Sequence, residues 1–416
     1  MSSETQLFET ITGDDGVQKR EAQNGSRHAA SLSMTKVADG LIDPKLVLSW
    51  LMSALGAPAY LISLLVPIRE AGALLPQIAM ADRVQRMAHR KWAWVIGSAG
   101  QGGFAAAIVL SAIFLEGQAA GFAICGALAG LALSRALCSV SYKDILGKTV
   151  EKTRRGSVTG LASSLSAVAV VIFAGLMLAG VLQSQAAVVT AIAVAAGLWV
   201  AAALLFSGIR EKASEVDEDS GGIDWSILRD NPQLWRFIAA RGFLVSTALA
   251  PPYFVLLSAE ASLLQLDRLG ALLLASAAAG LVSSYVWGRF ADYSSRQVLA
   301  VAGGVGALAM AAAASFALLG WAETGFVMPA TLFVLMIAYQ GVRQGRSTYL
   351  VDMAPEDQRS AYAAVANTLI GILLLAAGAL GGLTSIIGAV WALVLFAMLA
   401  VLGALAALTL NEVEGA

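Results

Sequence analysis

Glu70 lies in the middle of an apolar stretch, beside Arg69 and two helical turns before Gln77. A carboxylate in hydrocarbon costs several kcal/mol unless it faces a cavity, meets a partner or takes up a proton. On a helix Arg69 points about 100° away from Glu70, so the two do not simply face each other. Glu70 then couples to a proton or substrate, pairs with a cation on another helix, or lies beyond the end of a shorter helix. Arg135 and Arg241 sit in two further apolar stretches, and Gln340 stands at the counterpart of Arg135 in the second half of the chain. An unmatched cation of this kind suits an anionic or polar ligand, and equally suits a pairing with Glu70 or with helix-end carbonyls. Glu70, Arg69, Gln77, Arg135, Arg241 and Gln340 are therefore the candidates for substrate or proton coupling.

A second set of charges repeats. Ala81-Asp82-Arg83-Val84-Gln85-Arg86 and Gly288-Arg289-Phe290-Ala291-Asp292-Tyr293-Ser294-Ser295-Arg296 each place an Asp four residues before an Arg, directly after an apolar stretch. Glu151-Lys152-Thr153-Arg154 and Glu356-Asp357-Gln358-Arg359 form another pair. Charged loops recurring at corresponding places indicate two duplicated membrane bundles, the organisation of a secondary transporter. A loop carboxylate near basic residues and a helix N-terminus gains about 0.3–1 kcal/mol per contact when exposed. Asp82 and Asp292 are thus candidates for a conformational latch; the other reading is charges that only set orientation.

The elements that must position these residues are membrane helices. The chain has 416 residues, 58% hydrophobic and only 13% charged, against about 25% charged for a soluble domain. A spanning helix needs about 20 apolar residues. Ten spans are clear, at 92–115, 119–142, 157–181, 186–208, 234–258, 267–289, 297–319, 324–345, 361–385 and 387–409. Residues 38–82 must hold two more, near 38–58 and 61–81, with a turn around Pro58 and Tyr60. Pro251-Pro252 breaks the seventh span, and Pro58 offers a weaker parallel in the first. Tyr60 and Tyr253, beside those prolines, read as interfacial anchors.

Lys and Arg set the orientation. Loops after even-numbered spans carry Arg83, Arg86, Arg90, Lys91, Lys143, Lys148, Lys152, Arg154, Arg155, Arg210, Lys212, Arg296, Arg346 and Arg359. The opposite loops hold Glu116, Glu260, Asp267, Glu323 and the cation Arg268. Both termini are expected in the cytosol, and Arg236, Arg343 and Arg346 are expected to snorkel from cytosolic helix ends. Asp39, Asp43 and Lys45 begin the first span as capping or interfacial charges; an earlier helix start would make Asp43 a lining residue. The domain boundaries expected are a disordered tail over 1–37, a six-helix bundle over 38–208, a linker over 209–233, a second bundle over 234–409 and a tail over 410–416.

This organisation resembles the major facilitator superfamily over residues 38–410. The resemblance implies an all-α membrane protein with 12 transmembrane helices in two pseudo-symmetric six-helix bundles. In that family the loops after helices two and eight carry Gly-x-x-x-Asp-x-x-x-Arg. Gly288, Asp292 and Arg296 match it in full; Asp82 and Arg86 match in the first half, where Ile78 replaces the glycine. The latch candidates implied are Asp82, Arg86, Gly288, Asp292 and Arg296. A central Arg in helix four recurs in proton-coupled members, which bears on Arg135. The elements Pro67-Ile68-Arg69-Glu70 and Leu74-Leu75-Pro76-Gln77 look like a poorly characterised bacterial permease branch.

The function expected is secondary active transport of a small polar or anionic solute by alternating access. Protons are the expected coupling ion and uptake is favoured over export. The drug-antiporter Gly-Pro signature is missing from 157–181. The alternatives are a transport-inactive membrane sensor on the same fold, or a proton-driven exporter. An enzyme is not expected: His28 and His89 stand apart, Cys125 and Cys138 share one apolar stretch, and no Gly-x-x-x-x-Gly-Lys motif is present. No cofactor, no metal and no nucleic acid are expected as partners; the lipid bilayer and a small-molecule substrate are. The expected setting is a monomer in the cytoplasmic (inner) membrane of a bacterium.

Overall fold

The structure, a computed structural model, describes residues 8–9, 18–182, 184–213, 225–260, 266–355, 358–380 and 384–413. In hydrocarbon every backbone N–H and C=O must bond within its own segment, so apolar stretches of this length become helices. The first half contains α1 (Lys19–Leu41), α2 (Val47–Ala54), α3 (Ala59–Leu74), α4 (Gln77–Gln85), α5 (Lys91–Phe114), α6 (Gly117–Thr149), α7 (Arg155–Leu178) and α8 (Gln185–Ser207). The second half contains α9 (Ser226–Asp230), α10 (Pro232–Leu244), α11 (Ser246–Leu249), α12 (Pro251–Glu260), α13 (Leu266–Leu318), α14 (Val327–Met353), α15 (Arg359–Leu380) and α16 (Thr384–Leu408). Ser294 is non-helical inside α13 and divides it into two crossings. Pairing α1 with α2, α3 with α4, and α10 with α11 and α12 gives twelve crossings, six in each half.

Ten of these segments have the length and hydropathy of a span. The exceptions are the first and tenth crossings, α1–α2 and α14, which carry much of the buried charge. The disordered tail expected over 1–37 is overturned from residue 19 onward. Residues 19–41 form a helix packed on α7 and α8. Its buried face is Ala22, Asn24, Gly25, His28, Ala29, Ser31 and Ser33. Small and hydroxyl side chains let helices approach closely in a membrane without raising hydropathy.

The first crossing therefore breaks in its middle, at Asp43-Pro44-Lys45. Asp43 Oδ1 accepts the amides of Lys45 at 2.8 Å and Leu46 at 3.1 Å. Pro58 is not in a broken helix; it precedes α3 with extended backbone, and the turn is made at Gly56, whose φ of +73° suits glycine. The seventh crossing is subdivided before Pro251, as expected. Tyr253 is buried against Phe396, ring centres 5.2 Å apart, rather than anchoring an interface.

The halves touch through α7 with α13 and α3 with α15. A Cβ on Gly270 would lie 2.8 Å from the Leu178 amide nitrogen, so α13 starts directly against the end of α7. That end is the one away from the cation-rich loops.

Candidate functional site

Both halves contribute to a cavity lined by Glu70 of α3, Arg241 of α10, Thr247 of α11, and Tyr339, Arg343 and Arg346 of α14. Its free volume, about 20 Å3, suits one or two waters. Three guanidiniums thus face one carboxylate. Tyr339, Arg343 and Arg346 fall on one helical face by their i, i+4 and i+7 spacing. Arg343 and Arg346 do not simply snorkel away, because both line the cavity between the bundles, where Glu70 supplies a counter-charge. Arg241 is 5% exposed and donates from Nη2 to Asn367 Oδ1 at 3.0 Å. Lys45, from the break in the first crossing, places its ammonium 3.5 Å above the Tyr339 ring. This cation–π contact ties the first half to the second.

Arg69 and Arg135 are held elsewhere. Asp39 accepts Arg69 Nη2 at 2.8 Å with one oxygen and Arg135 Nη1 with the other. The carboxylate that neutralises Arg135 is therefore Asp39, not Glu70, and Asp39 is a bridge rather than a cap. Gln77 opens α4 after Pro76 and does not line the cavity, so it does not share a working face with Glu70. Gln340 is turned toward α13, its Nε2 3.6 Å from the Cβ position of Gly280, and Tyr339 takes the place expected for it.

The latch residues fare differently. Asp82 binds Arg86 at 3.1 Å within α4. Arg296 binds Glu412 and donates to the Leu410 carbonyl at 3.0 Å, so its resolved partners lie in its own half. A Cβ on Gly288 would meet nothing within 4 Å, so no close approach demands glycine there. The side chains of Ile78 and Asp292 lie outside the described residues. The Glu-x-x-Arg repeat is displaced by one residue. Arg155 Nη2 donates to the carbonyl of Gly147 at 2.7 Å and Arg359 Nε to that of Val351 at 3.1 Å. Each begins a helix and reaches back eight residues, so Arg155, not Arg154, is the twin of Arg359.

Sequence reading missed Tyr339 and Asn367 and misplaced Asp39, Lys45, Arg343 and Arg346. The helical spacing of Tyr339, Arg343 and Arg346 was the available signal. Asp39 was hidden because its helix has too little hydropathy to read as a span.

The family profile of the Major Facilitator Superfamily matches residues 32–369. The chain belongs to this superfamily. Among solved structures, it superposes on the nucleoside transporter NupG with a TM-score of 0.68 at 10% identity, covering 93% of this chain and 99% of that one. A POT family transporter in complex with 5-aminolevulinic acid gives 0.69 at 10% identity, covering 92% and 94%. A bacterial homolog of the human lysosomal transporter Spinster, in an inward-facing and occupied conformation, gives 0.63 at 13% identity, covering 94% and 97%. At such identities the likeness is one of fold. No curated protein matches the sequence. For a superfamily member, the cavity between the bundles is where the two halves of the chain bring opposite charges together.

Proposed function

We propose that this superfamily member is a secondary active transporter of a small anionic solute, working by alternating access with proton coupling through Glu70. One observation carries the reading: Arg241, Arg343 and Arg346 share a cavity with one carboxylate, Glu70. The surplus positive charge favours an anion, and field strength rises where water is excluded. An incoming anion competes with Glu70 for the same guanidiniums. Occupancy by the anion and protonation of Glu70 therefore favour each other, which is the thermodynamic content of symport. Lys45 on Tyr339 and the Asp39 bridge hold the two halves of the site in shape. Asp82 with Arg86, and Asp292, remain assigned to the latch that closes the cation-rich end, while Arg296 braces its own bundle.

Positive charge retained on one side of the membrane makes that side the cytosol, with both termini there. In this reading the protein is a multi-pass protein of a bacterial cytoplasmic membrane, uptake is the working direction, and one chain suffices because both walls of the cavity come from it. Export is the second reading, with the same cavity and the opposite net flux.

The test compares metabolites inside cells and in the medium for a deletion strain and its complemented parent. Retention of an anionic compound in the medium by the mutant supports uptake; its accumulation inside supports export. With that compound in proteoliposomes, Glu70→Gln should abolish accumulation driven by a proton gradient and leave exchange partly intact. Unchanged pH dependence in the variant would exclude the proton role.

A further inference from the structure

A second cavity lies at the cation-rich end, bounded by the start of α1, the turn between α6 and α7, and the residues following α8. Its wall carries six cations, Arg20, Lys148, Lys152, Arg155, Arg210 and Lys212. Two acids also line it, and both are held by a guanidinium outside the wall. Arg154 bonds Glu21 at 3.1 Å and Glu151 at 2.9 Å. The cations divide into two sets. Arg155 is fixed by the carbonyls of Gly147 and Val150, at 2.7 and 2.9 Å, and Arg20 by that of Arg210 at 3.3 Å. Lys148 bonds Asp144 at 2.5 Å. The exposed side chains of Lys152, Arg210 and Lys212 have no hydrogen bond or ion pair among the described residues. Three cations held in position and three uncommitted ones on one wall make a receptacle for an anion.

Its depth narrows the chemistry. α8 runs for 23 residues, about 34 Å on a 1.5 Å rise, slightly more than the hydrocarbon thickness. The residues following it, Gly208 to Lys212, therefore lie at the level of lipid headgroups. An adjoining hollow shares Arg20 and Arg210 and contains Trp92. Trp92 is 46% exposed with the Lys91 ammonium 5.2 Å from its ring, as suits a tryptophan at the membrane surface. A phosphate group offers both the charge and the several acceptor oxygens that a mixed Arg and Lys wall can bind.

We infer that this interfacial cavity binds a phosphate-bearing anion, presented by an anionic phospholipid headgroup or free in solution. The full chain, purified in detergent, is followed by thermal unfolding and native mass spectrometry with phosphatidylglycerol, phosphatidylcholine or inorganic phosphate. Phosphatidylglycerol should raise the unfolding temperature by several degrees at saturation and remain bound in the gas phase, whereas phosphatidylcholine should do neither. Stabilisation by inorganic phosphate to the same extent assigns the site to a soluble anion; stabilisation by phosphatidylglycerol alone assigns it to lipid. The combined variant Lys152→Gln, Arg210→Gln, Lys212→Gln should lose most of the response. Equal effects of the two lipids, no response to any probe, or an undiminished response in the variant would overturn the inference. If the combined variant does not fold, single Lys152→Gln and Lys212→Gln chains replace it, and lipid retention equal to that of the parent in both has the same overturning force.

Discussion

Lys91 and Arg296 perform the same task in the two bundles, although neither the residue type nor the flanking sequence repeats. Lys91 Nζ donates to the carbonyls of Ser207 and Ile209 at 2.9 and 2.8 Å, and Arg296 Nη1 donates to that of Leu410 at 3.0 Å. A glutamate completes each arrangement. Glu211 accepts the amides of Arg90 and Lys91, at 3.2 and 2.9 Å, and Glu412 binds the Arg296 guanidinium. The third crossing of each bundle is thus strapped at its start to the end of the sixth. The orphan carbonyls and amides of two helix termini satisfy one another through charged side chains.

Removing one strap should destabilise its bundle. Glu211→Ala leaves two helix-start amides without an acceptor and should cost about 1–2 kcal/mol, the range for lost N-caps. Glu412→Ala should cost less, because Glu412 is 39% exposed. Thermal unfolding of the two variants and the double variant checks both the order and the near-additivity expected of distant sites.

Asp39 should matter more for folding than either arginine it joins. Truncating it to Ala leaves two guanidiniums in the bundle without a counter-charge. Breaking a buried pair costs roughly 3–5 kcal/mol, and the 20% exposure of Asp39 points to the lower end. Arg135→Gln leaves the Asp39–Arg69 pair intact and should cost less. Detergent-solubilised yield and unfolding temperature measure the difference.

Arg343→Gln should weaken transport of the proposed anionic solute while leaving the fold intact, since Arg343 is exposed in the cavity. A hydrogen bond to a charged group contributes about 1.5–3 kcal/mol, so KM should rise roughly 10- to 100-fold. Gln340→Ala, on the neighbouring residue facing α13, should leave KM close to that of the parent. Uptake into proteoliposomes gives both numbers.

His28 holds α1 against the cation-rich ends of α6 and α8. Thr149 Oγ1 donates to Ile145 at 2.6 Å, so His28 Nε2 is the donor to it at 2.8 Å, and Nδ1 is left buried and unprotonated. Tyr142 and Phe206 meet the ring edge to face at 5.6 and 5.1 Å. Replacing His28 by Ala should remove the hydrogen bond and both ring contacts and cost about 1–3 kcal/mol. The unfolding temperature of the detergent-solubilised variant checks it.

The duplicated architecture was legible because hydrocarbon imposes a length and a composition on each helix. Spans such as 186–208 and 387–409 needed nothing else. Charge bias likewise identified which loops share a side. The first crossing was misread for the same reason that the others were easy. Lys19–Leu41 buries alanine, glycine and serine, and its length comes from packing on α7 and α8 rather than from hydropathy. Glu70 and Arg241 could be singled out as charges with no business in lipid, but sequence spacing carries no information about partners on other helices.

The amino-acid sequence by itself determined that the chain is a two-bundle membrane protein, which end carries the cations, and that several ionisable groups must lie within the bilayer. Local rules of solvation and helix geometry suffice for each of those. Only the tertiary structure decided that Asp39 joins Arg69 to Arg135, that Glu70 faces Arg241, Arg343 and Arg346, and that Glu211 and Glu412 strap the bundles. Those contacts join crossings far apart in the chain, and they depend on the rotation of each helix about its axis, which close packing of small residues sets.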